Sequence, residues 1–187
     1  FGGDAANITI VENAGNEKVY YEFHQDGSQR KCLVIPDGAF RNPMTVEQIQ
    51  NQIVRMPLTG VVMDGSTVFN FAQKEVPILV DSLTKMAETT KEDIDWFLFH
   101  QPNKFMLQKL AERIGVPFEK MPMDIVEKFG NSNSATIPTA ITADLKEEML
   151  NKESLCCLAG FGAGVAWAGI IMKMGNMDFC DTIISDL

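Results

Sequence analysis

Histidine and cysteine are scarce, two and four in 187 residues. Cys32, Cys156, Cys157 and Cys180 show no metal-ligand spacing, so no metal site is expected. Adjacent Cys156 and Cys157 should point to opposite faces of a strand, and free buried thiols in a reducing cytoplasm are the expectation. Basic side chains are a minority, 16 against 25 acidic, for a net charge of −9. That excludes nucleic acid as a bulk electrostatic partner. No apolar run approaches the ~20 residues that cross a bilayer as a helix, and no secretory signal or short-period repeat is visible. The chain starts at Phe1 rather than at methionine, which predicts a fragment or a processed piece. Its length suits one domain, and 45% hydrophobic content supports a sizeable core,.

The most informative stretch is Phe99-His100-Gln101-Pro102-Asn103. Before it, Ile94-Asp95-Trp96-Phe97-Leu98-Phe99 is apolar at all but one position, the pattern of a strand buried on both faces. After it, Leu107, Leu110, Ala111 and Ile114 recur at helical spacing. Asn103 is placed to cap that helix, and Gly115 with Pro117 to stop it. A histidine beside an apolar strand is commonly a packed residue. Here it stands at the carboxyl end of a strand, where open α/β sheets place ligands. A second stretch, Phe129-Gly130-Asn131-Ser132-Asn133-Ser134, is a small polar turn opening a helix with Ala135, Ile137, Ala140, Ile141, Leu145 and Met149 on its apolar side. Pro138 requires that helix to begin near Ser134.

Elsewhere the pattern predicts strands over residues 5–12 and 19–23, separated by a turn at 13–16, and a short strand at 33–35 ended by Pro36-Asp37-Gly38. His24 reads as a surface or hinge residue. Residues 41–58 read as irregular or briefly helical. A long helix is expected from Gly65-Ser66 to about Thr89, with Pro77 inside it. A short strand or loop is expected over 121–126. Two strands, Leu155-Cys156-Cys157-Leu158-Ala159 and residues 165–172, should be joined by a hairpin at Gly162-Ala163-Gly164. That run lacks the third glycine of a dinucleotide loop and leads into a strand-like element. The domain is expected to span 1–175, with 176–187 a tail packed through Phe179 and Ile183-Ile184. The alternation gives an α/β domain with a mixed sheet.

His100-Gln101-Pro102-Asn103 after an apolar strand, then Phe129-Gly130-Asn131-Ser132-Asn133-Ser134-Ala135 leading to Pro138, resembles the carboxyl-terminal half of the β-ketoacyl-ACP synthase III family, in the thiolase-like superfamily. Met63-Asp64-Gly65-Ser66-Thr67-Val68-Phe69 and Phe161-Gly162-Ala163-Gly164-Val165-Ala166-Trp167 match two further landmarks in the right order. The resemblance implies one half of a five-layer αβαβα fold. It implies a decarboxylating condensation of an acyl thioester with malonyl-ACP, with the nucleophilic cysteine in an amino-terminal half outside this chain. His100 and Asn131 would be catalytic, a neutral imidazole N–H and a carboxamide N–H₂ donating to the enolate oxygen. A backbone N–H at Ala163 or Gly164 would form part of an oxyanion hole, although the family usually has glycine where this chain has Ala163. Asn103, Gly65 and Ser66 would hold the pantetheine arm.

For carrier docking the resemblance offers Lys104, Lys109 and Arg113, although the family often has arginine where this chain has Phe105. Residues 104–128 hold five basic and four acidic side chains, a balance of +1. The implied partners are acyl carrier protein or acyl-CoA, the amino-terminal half and a second copy of the full protein. No cofactor is implied beyond the thioester substrates, and neither membrane nor nucleic acid is expected. Acyl transfer or hydrolysis without condensation, and a non-catalytic module that completes or dimerises with another subunit, stay open at the level of sequence.

Overall fold

A computed structural model describes residues 2–12, 17–36, 40, 43–47, 49–50 and 60–184. In chain order the elements are β1 (Tyr20–Gln25), β2 (Leu33–Val34), β3 (Val62–Met63), α1 (Gly65–Met86), β4 (Trp96–Phe99), α2 (Lys104–Ile114), α3 (Ile125–Phe129), α4 (Thr136–Asp144), α5 (Lys146–Asn151), β5 (Glu153–Gly162) and β6 (Ala166–Gly175). Four strands form one sheet in the order β1-β6-β5-β4. The β4–β5 pair is parallel and the others antiparallel, so the sheet is mixed, as the α/β pattern requires. β2 and β3 make a separate small ladder.

Side-chain alternation divides β5 between two cores. Cys157, Ala159 and Phe161 face α1 and α2, joining Val76, Leu79 and Leu83 of α1 and Leu107, Leu110 and Ile114 of α2. Cys156 faces the other way, with Leu98 of β4, and packs against Ile141, Leu145 and Met149 of α4 and the segment that follows it. Phe97, Leu98 and Phe99 are all fully buried, which explains the near-continuous apolar run: β4 has helices on both faces. Each such side chain contributes roughly 1.5–3 kcal/mol of hydrophobic stabilisation. Asn103 caps α2 by accepting the Met106 N–H at 2.8 Å. Gly115 ends that helix with φ of 83°, a left-handed conformation that favours glycine,.

Several expectations change. Residues 5–12 form no strand; the Asn7 side chain donates to the Ala135 carbonyl at 3.3 Å, a parallel bridge joins Gly2 to Asn131 just ahead of the segment, and Ile8 and Val11 lie exposed. An extended segment needs a ladder partner, and among the described residues it has none. The expected single helix after Ser134 is a 3-10 turn over Asn133–Ala135, then α4, a break at Leu145, and α5. Of residues 121–126, expected as a short strand or loop, 121–124 are loop and Ile125 and Val126 open α3. α1 stops at Met86, where the Ala87 N–H bonds back to the Leu83 carbonyl. His24 is exposed, as the surface reading has it, although it lies inside β1, stacked on Trp167 and bonded to Glu22 at 2.9 Å. Phe179, Ile183 and Ile184 are exposed, and the tail is anchored instead by buried Cys180 and by the Met177 N–H on the Met149 carbonyl. Of residues 41–58, Val46, Glu47, Ile49 and Gln50 are helical. The expected turn at 13–16, Asp37 and Gly38 lie outside the described residues.

Candidate active site

His100 stands one residue beyond β4, and its N–H continues the ladder to the Ala159 carbonyl of β5 at 2.8 Å. The strand end therefore fixes where the side chain begins. Gln101, fully buried, pins the following turn: its amide nitrogen donates to the carbonyls of Phe99 at 3.0 Å and Pro122 at 2.8 Å. The imidazole meets Phe161 edge-on, ring centroids 5.6 Å apart. Its Nδ1 lies 2.8 Å from Thr136 Oγ1. Burial lowers the His100 pKa below the ordinary 6.5, and a hydrogen bond to the Asn133 backbone opposes part of that shift,.

Asn131 enters the same cluster from the other side. Its Oδ1 accepts the Asn133 N–H at 2.9 Å, which fixes the carboxamide and leaves the N–H₂ group without a partner among the described residues,. Its backbone carbonyl accepts the Gly3 N–H at 3.0 Å. A side chain at Gly3 would collide with the Phe129 carbonyl, so this close backbone approach requires glycine,. His100 and Asn131 are thus joined through Asn133: its carbonyl accepts the Thr136 hydroxyl that meets the imidazole, and its N–H donates to the carboxamide. Asn133 and Thr136 escape a reading by sequence. The available signal was a polar residue at 136 among apolar helix positions, where Thr136 is almost fully buried.

The hairpin tip carrying Ala163 and Gly164 is exposed and reaches the cluster through Phe161. Gly164 has φ of 139°, the positive value expected of the hairpin. Asn103 caps α2, as its position in the sequence allowed. Gly65 and Ser66 form the first turn of α1. There the Asp64 carboxylate takes hydrogen bonds from Thr67 and Ser66, which hold its pKa down at about 2. The Phe69–Phe105 stack, centroids 5.9 Å apart, brings the starts of α1 and α2 together.

The basic patch is weaker than its composition suggests. Lys104 pairs with Asp124 at 2.7 Å and Glu127 at 3.3 Å, and Lys109 pairs with Glu112 at 2.7 Å. Of the three, Arg113 alone has no ion pair among the described residues. All four cysteines are free and buried. Burial pushes Cys156 and Cys157 up to about 12, which leaves these two thiols protonated and poor nucleophiles.

Residues 84–174 match the family described as 3-oxoacyl-[acyl-carrier-protein] synthase III, C terminal. These residues form the carboxyl-terminal domain of that family. The chain is 31% identical over 173 residues to the β-ketoacyl-[acyl-carrier-protein] synthase III of Synechocystis, covering 92% of this chain and 51% of that protein. The crystal structure of a 3-oxoacyl-(acyl-carrier protein) synthase from Burkholderia xenovorans superposes with a TM-score of 0.80 at 33% identity, over 92% of this chain and 49% of that one. The Pseudomonas aeruginosa enzyme, at 22% identity and a TM-score of 0.70, shares the fold. The chain thus spans about half the length of the curated relatives it matches. Its mixed sheet with helices on both faces is a thiolase-like half. Among the described residues no helix is long and apolar enough to cross a membrane.

Proposed function

We propose that this chain supplies the second-substrate side of a decarboxylating ketosynthase, with residues 1–175 as the functional half. The reaction joins an acyl group, carried as a thioester on a cysteine outside this chain, to malonyl-ACP. The malonyl C–C bond to the carboxylate breaks, carbon dioxide leaves, and the electron pair becomes an enolate. His100 and Asn131 face the oxygen on which that charge develops, and donors held in place beforehand lower the barrier. The enolate carbon attacks the acyl carbonyl, the C–S bond breaks, and the expelled thiolate takes a proton. The product is a 3-oxoacyl-ACP. Backbone N–H groups at Ala163 or Gly164 serve the acyl oxyanion. Asn103, Gly65 and Ser66, at the adjoining starts of α2 and α1, border the route of the pantetheine arm. Arg113, with Lys104 and Lys109, offers charge to an acidic carrier. The full protein works in the cytoplasm as a homodimer.

The observation that carries this reading is the coupled placement of His100 and Asn131 on Asn133, with the Asn131 N–H₂ left free. The buried, protonated thiols of Cys156 and Cys157 support placing the nucleophile elsewhere. The chain alone, given acetyl-CoA and malonyl-ACP, is expected to form no acetoacetyl-ACP. The chain joined to a cysteine-bearing first half of this family should form it. Product from the chain alone above a His100→Ala control would contradict the division of labour.

A further inference from the structure

The amino-terminal residues cross the loop that carries Asn131 at backbone contact. Gly2 bridges in parallel to Asn131, and the Gly3 N–H donates to the Asn131 carbonyl at 3.0 Å. A Cβ on Gly3 would run into the Phe129 carbonyl oxygen, which is backbone and cannot turn aside. One on Gly130 would stand 3.1 Å from the Gly2 carbonyl oxygen. Further along, Asn7 is exposed, and its Nδ2 donates to the Ala135 carbonyl at 3.3 Å. That carbonyl also takes the Thr139 hydroxyl at 2.8 Å, at the entrance to α4. Residues 2–7 therefore grip the loop over 129–135 at both ends, with Asn131 and Asn133 between the two grips.

The loop needs holding. Gly130 has φ of 70° and Asn133 of 54°. Asparagine enters the left-handed region more readily than most residues, but still at a cost. The two bends set the direction of Asn131. Gly130 turns the chain just before it, and Asn133 turns it just after while its N–H fixes Asn131 Oδ1 at 2.9 Å. A change at either bend re-aims the carboxamide.

We propose that residues 2–7 brace the Asn131 loop, with Gly3 a positioning residue that acts through Asn131 and Asn7 a second, weaker one. Gly3 does so by close backbone approach and one N–H, Asn7 by a single side-chain hydrogen bond. Resting on the proposed function, the brace keeps the Asn131 N–H₂ aimed at the enolate oxygen and has no part in cysteine acylation.

Hydrogen exchange reads the brace without substrate. In the complete enzyme, this chain with its cysteine-bearing first half, Gly3→Ala should speed exchange of the Asn133 N–H by at least about tenfold, while the β5 amides exchange as in the wild type. Kinetics read its use. Gly3→Ala should lower malonyl decarboxylation by about 10- to 10²-fold, the scale of a group displaced by about an ångström. Acylation from acetyl-CoA should stay near the wild-type rate. Asn7→Ala should act in the same direction by about two- to tenfold, the worth of one modest hydrogen bond. Introduced into Asn131→Ala, either change should lower decarboxylation no further, because nothing is left to position. A general loosening of the fold would instead lower both steps and add to the Asn131→Ala loss. An Asn133 N–H that exchanges no faster in Gly3→Ala overturns the proposal. Where decarboxylation depends on Asn131, so does an unchanged rate in Gly3→Ala, an equal loss of acylation, or additivity with Asn131→Ala. Should Gly3→Ala fail to fold, Asn7→Ala decides by the same criteria. If Asn133 exchange quickens as expected but Asn131→Ala leaves decarboxylation intact, the ketosynthase reading fails and the brace stands.

Discussion

β4 and residues 5–12 carry similar strand signals and meet opposite fates. β4 pairs in parallel with β5 in register from Trp96–Cys156 to Phe99–Ala159, and Phe97, Leu98 and Phe99 have no exposure. Residues 5–12 have no ladder partner among the described residues, and Ile8 is 87% and Val11 86% exposed. A strand pattern records what a segment is fit to pair with, not whether the partner is present. β4 finds its partner some sixty residues on. The exposed apolar face of residues 5–12 accords with a chain that spans about half of its relatives.

Phe97→Ala should sharpen that contrast most, destabilising the chain by about 3–5 kcal/mol through lost burial and a cavity. Ile8→Ala should fall within about ±0.5 kcal/mol. Urea unfolding of both variants checks this, and comparable losses would mean that residues 5–12 are packed. A smaller effect belongs to the α2 cap that follows β4. Asn103→Ala should cost about 1 kcal/mol and Asn103→Asp should recover most of it. If Asn103 also holds pantetheine, the aspartate variant regains stability but keeps a raised KM for malonyl-ACP.

The smallest effect is a pH dependence. The folded-state pKa of His100 is lowered from 6.5, so the unfolded chain binds this proton first. Stability from the buried neutral ring is complete above about the unfolded value, and falls as pH drops toward the folded one. His100→Gln should flatten that fall in urea titrations between neutral and mildly acidic pH. An unchanged slope would place the ring in a wetter setting.

Local chemistry made much of the site legible. The two-faced apolar run, the Asn103 cap and the Gly115 stop set His100 at a strand end, and the small polar turn set Asn131 before a helix. What escaped depends on contacts between distant segments. Nothing near Thr136 in sequence says that its hydroxyl meets a histidine 36 positions earlier. The break at Leu145 follows a continuous apolar spacing, with no glycine or proline to announce it. In the tail, Phe179 and the isoleucines were the more hydrophobic choice, yet Cys180 fits against the Ile141 carbonyl and the bulkier side chains stay outside.

The account turns on whether His100 and Asn131 serve the second substrate rather than the nucleophile. In the complete enzyme, His100→Ala and Asn131→Ala can be followed by intact mass for cysteine acylation from acetyl-CoA and by carbon dioxide release for malonyl decarboxylation. Losing one such hydrogen-bond donor typically costs ~3 kcal/mol, about 10² to 10³ in rate. Each variant should lose decarboxylation on that scale, and the double variant less than the product of the two losses, because both groups serve one oxygen. Acylation should continue within about tenfold of the wild type, set against that 10² to 10³ loss in the other step. Variants that lose acylation and keep decarboxylation would contradict the account and assign the pair to activating the cysteine.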